Sequence, residues 1–282
     1  DQWADSDGRS TQKDASNLNA PVRIASKGDG GDVTQTNASM AAALSANGNH
    51  TDQSVDQTQR GSSDDPRCGC GSGAIGVQAA GQEAKSEQGA RSDADSAQYG
   101  ASNANVPVRI GSRGDDGDVT QTNLSAALAA SLNGNKTDQS VDQTQGGATM
   151  LAPRSDSKCG CSHGLGVQAA GQEAKNDQWS DGHASSRQSG ASNVWDPVRI
   201  DSRGGHGDVT QLNASLVAGG SANGNATRQH GTQVRPGHGT AEQALGQASG
   251  SRQKAGSDAR STQGDPTSRR AARPYGGRHL DD

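Results

Sequence analysis

The chain has 282 residues, enough for one large domain or two of ordinary size. Only 28% of the residues are apolar and 2% are aromatic, and the mean hydropathy is −0.89, so a conventional hydrophobic core is excluded. The 26 basic and 31 acidic residues are interspersed, without a basic stripe for nucleic acid or a run of ~20 apolar residues for a bilayer. Asp1 lies at a repeat boundary with no signal peptide before it, so we expect a mature or trimmed chain.

Long internal repeats organise the chain. PVRI occurs at 21–24, 107–110 and 197–200, and GVQAAGQEAK occurs at 76–85 and 166–175. The recurrences divide the chain into repeat 1 (1–86), repeat 2 (87–176), a shorter repeat 3 without a cysteine segment (177–251), and a partial repeat with a basic tail (252–282). Strict repetition is typical of ordered solenoids.

Glutamine marks a finer spacing inside the long repeats. Gln35, Gln57, Gln78 and Gln98 follow one another at steps of 22, 21 and 20 residues. A period near 22 suits a rung of two short strands and two turns. We therefore predict an all-β fold, a β-solenoid with stacked two-strand rungs of about 22 residues and four rungs per long repeat.

The segment 33–59 returns at 119–145 and, less completely, at 209–233. Every second residue from Val33 is identical in the second copy, whereas the intervening positions vary, as in Met40 and Ala126. A period of two is typical of β-strands, whose side chains alternate between faces. The retained polar face is predicted to be the inside, with NGN (47–49) and KGDGGD (27–32) as turns.

A polar interior is stable if amides of successive rungs hydrogen-bond to one another in ladders, because buried amides cost free energy unless they are paired. The predicted ladder and assembly face consists of Gln35, Asn37, Asn47, Asn49, Gln53, Gln57, Gln121, Asn123, Asn133, Asn135, Gln139, Gln143, Gln211, Asn213, Asn223, Asn225 and Gln229. Six of these asparagines also begin Asn-x-Ser/Thr sequons. Glycosylation would need them outside, so the ladder and glycan interpretations exclude each other, and we favour the ladder.

Small residues at alternate positions with spaced Asn and Gln resemble the curlin repeat of bacterial curli. NGNHTDQSVDQ matches its second half through Asn49, Thr51 in the alanine position, and Gln53 or Gln57. The resemblance covers about half of each long repeat. It implies a β-solenoid subunit of an extracellular, amyloid-like fibre.

Four cysteines form two CGC pairs, Cys68/Cys70 and Cys159/Cys161, for which we predict disulfides, with metal binding and free thiols as alternatives. With four rungs of ~4.8 Å between the pairs, a bridge between repeats of one chain would be excluded. Local or inter-subunit bonds then remain.

Acidic turn residues are weak calcium candidates, against solvated Gly-Asp turns: Asp29, Asp32, Asp115 and Asp118. No catalytic constellation is present, so we predict no enzyme and no cofactor. In the basic tail, Arg269, Arg270, Arg273 and Arg278 are predicted to contact a neighbouring subunit.

The expected function is that of a secreted structural protein that polymerises with itself at the cell surface or in an extracellular matrix such as a biofilm. Its partner is itself, with no nucleic acid and no membrane span, and a secretion or nucleation partner stays unidentified. The alternatives are a monomeric β-solenoid that binds a surface, calcium or ice, and a disordered extracellular linker.

Overall fold

The computed structural model describes residues 1–59, 76–146, 166–234, 241–264, 266–270 and 273–274. All regular elements are strands: β1 (Gln2–Lys13), β2 (Ser16–Asn19), β3 (Val22–Ile24), β4 (Val33–Gln59), β5 (Gly76–Tyr99), β6 (Ser102–Asn105), β7 (Val108–Ile110), β8 (Val119–Gln145), β9 (Gly166–Ser189), β10 (Ser192–Trp195), β11 (Val198–Ile200), β12 (Val209–Val234), β13 (Ala241–Gly264), β14 (Thr267–Arg270) and β15 (Arg273–Pro274). Across these ranges there is no helix long and apolar enough to cross a membrane.

The strands stack into four parallel sheets. Sheet A has the order β1-β5-β9-β13, sheet B is β2-β6-β10-β14, sheet C is β3-β7-β11-β15, and sheet E is β4-β8-β12. Equivalent residues of successive repeats are direct neighbours, as in Val33↔Val119 and Val119↔Val209. The prediction of an all-β solenoid is confirmed.

The predicted rung of about 22 residues is wrong. Gln35 pairs with Gln121, 86 residues later, and Gln121 pairs with Gln211, 90 residues later. One long repeat is therefore one rung, and the predicted four rungs per repeat do not exist. The glutamines that suggested a shorter period lie two to a strand, Gln35 and Gln57 on β4 and Gln78 and Gln98 on β5, so their spacing does not mark successive rungs.

A rung consists of two long strands joined through a short corner. In the second layer, β5 turns at Gly100, which has a φ of 61°, into β6 and β7. The Asp-rich segment 111–118 then leads into β8, with positive φ at Gly111, Gly114 and Gly117. The turn predicted from KGDGGD and its equivalents is thus confirmed. The NGN turn is wrong, because Asn47–Asn49 lies inside β4 with the two asparagine side chains inward and Gly48 exposed.

The long strands of sheets A and E face each other in opposite directions and enclose a polar interior. Ser45 Oγ of β4 lies 2.9 Å from Ser92 Oγ of β5, and the Gln57 amide donates to the Ala79 carbonyl at 2.9 Å. Alternate residues of β8 are buried throughout its length, which confirms that the retained face is the inside. Buried polar residues outnumber buried apolar ones, and most of the latter are alanines.

Candidate assembly interface

Glutamine side chains form columns that run along the stacking axis. The Gln121 Nε2 donates to Gln35 Oε1 at 2.8 Å, and Gln211 Nε2 donates to Gln121 Oε1 at 2.9 Å. The other predicted glutamines of sheet E form two further columns, Gln53–Gln139–Gln229 and Gln57–Gln143, and the second column is extended by Gln233, which was not predicted. Each column is thus a continuous amide ladder through all three layers of sheet E.

The second hydrogen of these amides ties sheet E to the sheet opposite it, which is sheet B at Gln121 and sheet A at Gln143. Gln121 Nε2 also donates to the Val194 carbonyl at 3.0 Å, and Gln143 Nε2 donates to the Ala169 carbonyl at 3.1 Å. One amide therefore satisfies an axial and a transverse acceptor at once. Because buried polar groups must be paired, this double use lets glutamine occupy the core.

Asparagines form ladders as well. The columns Asn47–Asn133–Asn223 and Asn49–Asn135–Asn225 lie on sheet E. Asn123 Nδ2 donates both to Asn213 Oδ1 of its own column at 2.9 Å and to Asn193 Oδ1 of sheet B at 3.0 Å. The column Asn37–Asn123–Asn213 is thereby interleaved with a second column, Asn17–Asn103–Asn193.

Sequence reasoning missed several ladders. They are the sheet B asparagines and the sheet A columns Gln2–Gln88–Gln178–Gln253, Gln12–Gln98–Gln188–Gln263, Gln78–Gln168–Gln243 and Gln82–Gln172–Gln247. The sequence did contain a signal for the sheet B column. Asn17, the second residue of the short strand before PVRI, returns at offsets of 86 and 90 residues as Asn103 and Asn193.

The ladders have a direction. Glutamine Nε2 atoms donate toward the N-terminal layer, as Gln121 does to Gln35. Asparagine Nδ2 atoms donate toward the C-terminal layer, as Asn37 does to Asn123 at 3.1 Å. Consequently the two ends of the stack differ, and the groups left over at one end complement those at the other.

Ladder formation also bears on the sequons. Asn123 is fully buried, and Asn37 and Asn135 are 4% and 5% exposed. A glycan on any of the three would have to occupy the interior between the sheets. The folded chain therefore favours the ladder interpretation of these residues over glycosylation.

A cluster of charges, unanticipated from the sequence, lies at the corner of the rung. Asp116 Oδ1 accepts from Arg109 Nη1 at 3.0 Å, and its Oδ2 accepts from Arg199 Nη2 at 2.6 Å. His206 Nδ1 lies 3.2 Å from the same carboxylate, and its ring packs edge-on against Trp195 at 5.3 Å. Arg109 and Asp116 are almost completely buried. The arginine of PVRI is present in all three repeats. The aspartate is present in the second repeat only, because Gly30 and His206 occupy the positions equivalent to Asp116 in the first and third repeats.

The calcium candidates accept hydrogen bonds from backbone amides of the next layer. Asp29 Oδ1 accepts from the Asp115 N–H at 2.8 Å, and Asp32 Oδ1 accepts from the Asp118 N–H at 3.0 Å. Asp118 in turn accepts from the Asp208 N–H at 2.8 Å, and Asp115 accepts from Gly205 N–H. These carboxylates hold successive turns together along the axis.

Among the described residues, one group of three potential metal ligands is close together: His50, Asp52 and Asp138. Lys136 Nζ lies 2.7 Å from Asp138 Oδ2 and 3.4 Å from His50 Nε2. The hydrogen bond from Lys136 holds the pKa of Asp138 below its usual value. A side-chain cation thus already occupies this exposed site.

The basic tail is partly integrated into the chain's own stack. Arg269 and Arg270 lie on β14, which pairs with β10, and Arg273 on β15 pairs with Val198. Arg278 lies outside the described residues. Contact of these arginines with a neighbouring subunit stays a prediction.

All four cysteines, Cys68, Cys70, Cys159 and Cys161, lie outside the described residues. The reason given for excluding a bridge between repeats is nevertheless wrong. Gln59 pairs with Gln145 and Gly76 with Gly166, so the two cysteine segments start and end one strand spacing apart rather than four rungs apart.

No family model, no curated protein and no solved structure matches this chain. Its function must therefore be inferred from the strand edges, the ladders and the surface.

Proposed function

We propose that the protein is a secreted, non-enzymatic structural protein that assembles end to end into an extracellular, amyloid-like fibre, as its resemblance to curlin repeats implies. The observation that carries this proposal is the in-register parallel ladder, whose terminal strands keep one open edge. In sheet E these are β4 and β12, each paired only with β8 among the described strands. Unpaired strand edges are templates for another chain.

The directional ladders favour head-to-tail addition. If β4 of a second subunit pairs with β12 of the first, Gln35 donates to Gln211 and Asn213 donates to Asn37. Both contacts repeat the geometry already present between layers. Joining two C-terminal ends would set glutamine oxygens against oxygens, and joining two N-terminal ends would set glutamine amide nitrogens against nitrogens, so both are disfavoured. A polar filament with one orientation of subunits follows.

In sheet A, two different strands could occupy the junction between two stacked subunits. Among the described residues this sheet has four strands against three in sheet E, so the second subunit's β1 and the first subunit's β13 would compete for one level. β1 pairs only with Gln88–Tyr99 of β5, whereas β13 pairs with the whole of β9, whose partner on the other side is the whole of β5. We expect β13 to occupy this position, because it can pair along all 24 residues of the second subunit's β5, whereas β1 pairs along only 12 of them.

The two competing strands are alike enough for exchange. Inward-facing Gln2, Ser6 and Gln12 of β1 have the counterparts Gln253, Ser257 and Gln263 in β13, as judged from their shared partners on β5 and β9. The same ladders therefore continue whichever strand occupies the level. Displacement of β1 by β13, together with displacement of β2 and β3 by β14 and β15 in sheets B and C, yields an uninterrupted stack of three layers per subunit.

The test is filament formation by the purified protein, followed by electron microscopy and fibre diffraction. We expect a meridional reflection at about 4.7–4.8 Å. The discriminating variant is Thr34→Pro in β4. Val33 N–H donates to Asp118 in the second layer, so the N–H of the next residue points to the open edge. Proline there obstructs the edge without removing an internal ladder bond.

The matched control is Thr34→Val, which keeps the N–H and changes the same exposed side chain. Thr34→Val should form filaments as the parent does, whereas Thr34→Pro should fail to extend parent seeds. A parent protein that stays monomeric and shows no axial repeat would refute the proposal and favour a monomeric surface-binding solenoid.

A further inference from the structure

The outer face of sheet E carries a continuous apolar surface. Between its threonine-rich start and the glycine of NGN, five successive outward positions in each layer hold only Ala, Leu, Met or Gly. We call this surface the E stripe; it consists of Ala38, Met40, Ala42, Leu44, Ala46, Leu124, Ala126, Leu128, Ala130, Leu132, Ala214, Leu216, Ala218, Gly220 and Ala222. Met40, Leu44 and Leu216 are 68%, 65% and 58% exposed.

The opposite outer face is different. Outward positions of sheet A carry the ion pairs Glu83–Lys85 and Glu173–Lys175 and the pair Arg91–Asp93. Large exposed apolar side chains also occur on this face, at Trp3 and Val77, but here they are interspersed with charged residues, whereas on sheet E the apolar positions are contiguous. Contiguous apolar surface of this kind marks an interaction site, since scattered single residues are the norm elsewhere.

Large and small side chains alternate in the E stripe in both directions. Along the second layer, Leu124, Leu128 and Leu132 are separated by alanines. Across layers, Leu128 lies between Ala42 and Ala218, and Ala126 lies between Met40 and Leu216. Each large side chain therefore has a small neighbour on either side. Such a surface fits a copy of itself after a shift of one position, with knobs of one face in the hollows of the other.

From this self-complementarity we infer that a second copy of the chain covers the E stripe, so that fibres pair laterally through sheet E. The inference rests on the proposed fibre. With two residues per ~6.7 Å and layers ~4.8 Å apart, the stripe measures about 30 Å by 14 Å, or about 400 Å². Stable complexes bury roughly 800 Å² per partner, so a single subunit offers about half of that.

Stacking supplies the rest of the area. The stripe runs along the axis, so two or three stacked subunits present the area of a stable interface. Lateral pairing is thus coupled to elongation: isolated subunits stay unpaired and filaments associate. The polar borders of the stripe, with Thr34 on one side and His50 and Asp52 on the other, match the polar rim of protein interfaces.

The experiment introduces one charge per subunit on either broad face. Leu128→Lys puts it at the centre of the E stripe, and Ala169→Lys puts it on the outer face of β9, which faces β8 across the interior. Mass per unit length of unstained filaments by scanning transmission electron microscopy is the readout. Leu128→Lys filaments should have half the mass per length of the parent, with the axial reflection retained, whereas Ala169→Lys filaments should equal the parent.

A second variant tests complementarity separately from hydrophobicity. The double change Leu128→Ala and Ala130→Leu moves one knob by one position at constant composition. Self-fitting predicts a loss of pairing, whereas a merely sticky face predicts none and would overturn the inference.

The two proposals fail in different ways. If Leu128→Lys filaments had the same mass per length as the parent, lateral pairing would be refuted and the proposed fibre would be unaffected. If the parent protein formed no filaments, both proposals would be refuted.

Discussion

The ladder interior makes a sharp prediction at Gln121, which is fully buried in the middle layer. Its amide donates to Gln35 Oε1 and to the Val194 carbonyl, and its oxygen accepts from Gln211. Gln121→Leu keeps the side chain's approximate size and removes all three bonds. A buried polar group left unpaired costs about 1–3 kcal/mol, and Gln35 is the partner with least access to water. We expect a loss of about 3 kcal/mol in the free energy of unfolding.

Leu128→Ala is the comparison, because it truncates a large apolar side chain on the outer face of the same strand. Leu128 is 52% exposed and lies between Ala42 and Ala218, so its truncation should cost about 1 kcal/mol or less. Thr122→Leu controls for the introduced leucine, since Leu212 occupies the equivalent outward position in the third layer. Denaturant unfolding at concentrations that keep the protein monomeric measures all three. If Leu128→Ala were as damaging as Gln121→Leu, the polar-core argument would be wrong.

Three further outcomes are expected. Asp116→Asn should lower the free energy of unfolding by about 3–5 kcal/mol, because it leaves buried guanidinium groups without their counter-charge. Asp115→Asn, on the exposed side of the same turn, should lower it far less, and thermal unfolding of both variants measures the difference. Deleting residues 266–282 should slow fibre growth with little change in β-content by circular dichroism, and undiminished growth would exclude a role for the tail. Peptide mapping by mass spectrometry without reduction should find the cysteines oxidised, and a Cys68–Cys159 bridge within one chain is compatible with one-layer repeats.

The sequence was sufficient for the strand faces but not for the size of a layer. Val33–Gln59 alternates strictly, and its retained positions are the buried ones. Glutamine spacing misled because long strands carry several inward glutamines: Gln35 and Gln57 share β4. Spacing along a chain cannot distinguish positions on one strand from positions on successive rungs. The offset of 86 or 90 between identical segments was the true period, because ladders need identical residues one layer apart.

Other features were missed for a related reason. Asp116 occurs once, so a search for recurring residues passes over the carboxylate that neutralises the arginine corner. Asn47 and Asn49 look like turn residues because they flank a glycine, but in-register stacking gives their amides axial partners, which overrides the local turn preference. In both cases the role of the residue depends on a contact between layers, and such a contact cannot be read from the neighbouring sequence.

A polar core also links the fold to assembly. An apolar interior is satisfied by contact with any apolar neighbour, whereas an amide column is satisfied only by another amide at the same position in the next layer. Interior layers of this chain meet that condition on both sides, as Gln121 does between Gln35 and Gln211. The terminal layers meet it on one side only. Each subunit added head to tail pairs one such terminal layer with its complement, and the number of unpaired layers per filament stays at two however long the filament grows. Under the proposed function, elongation is therefore favoured by the same hydrogen bonds that hold the single chain together.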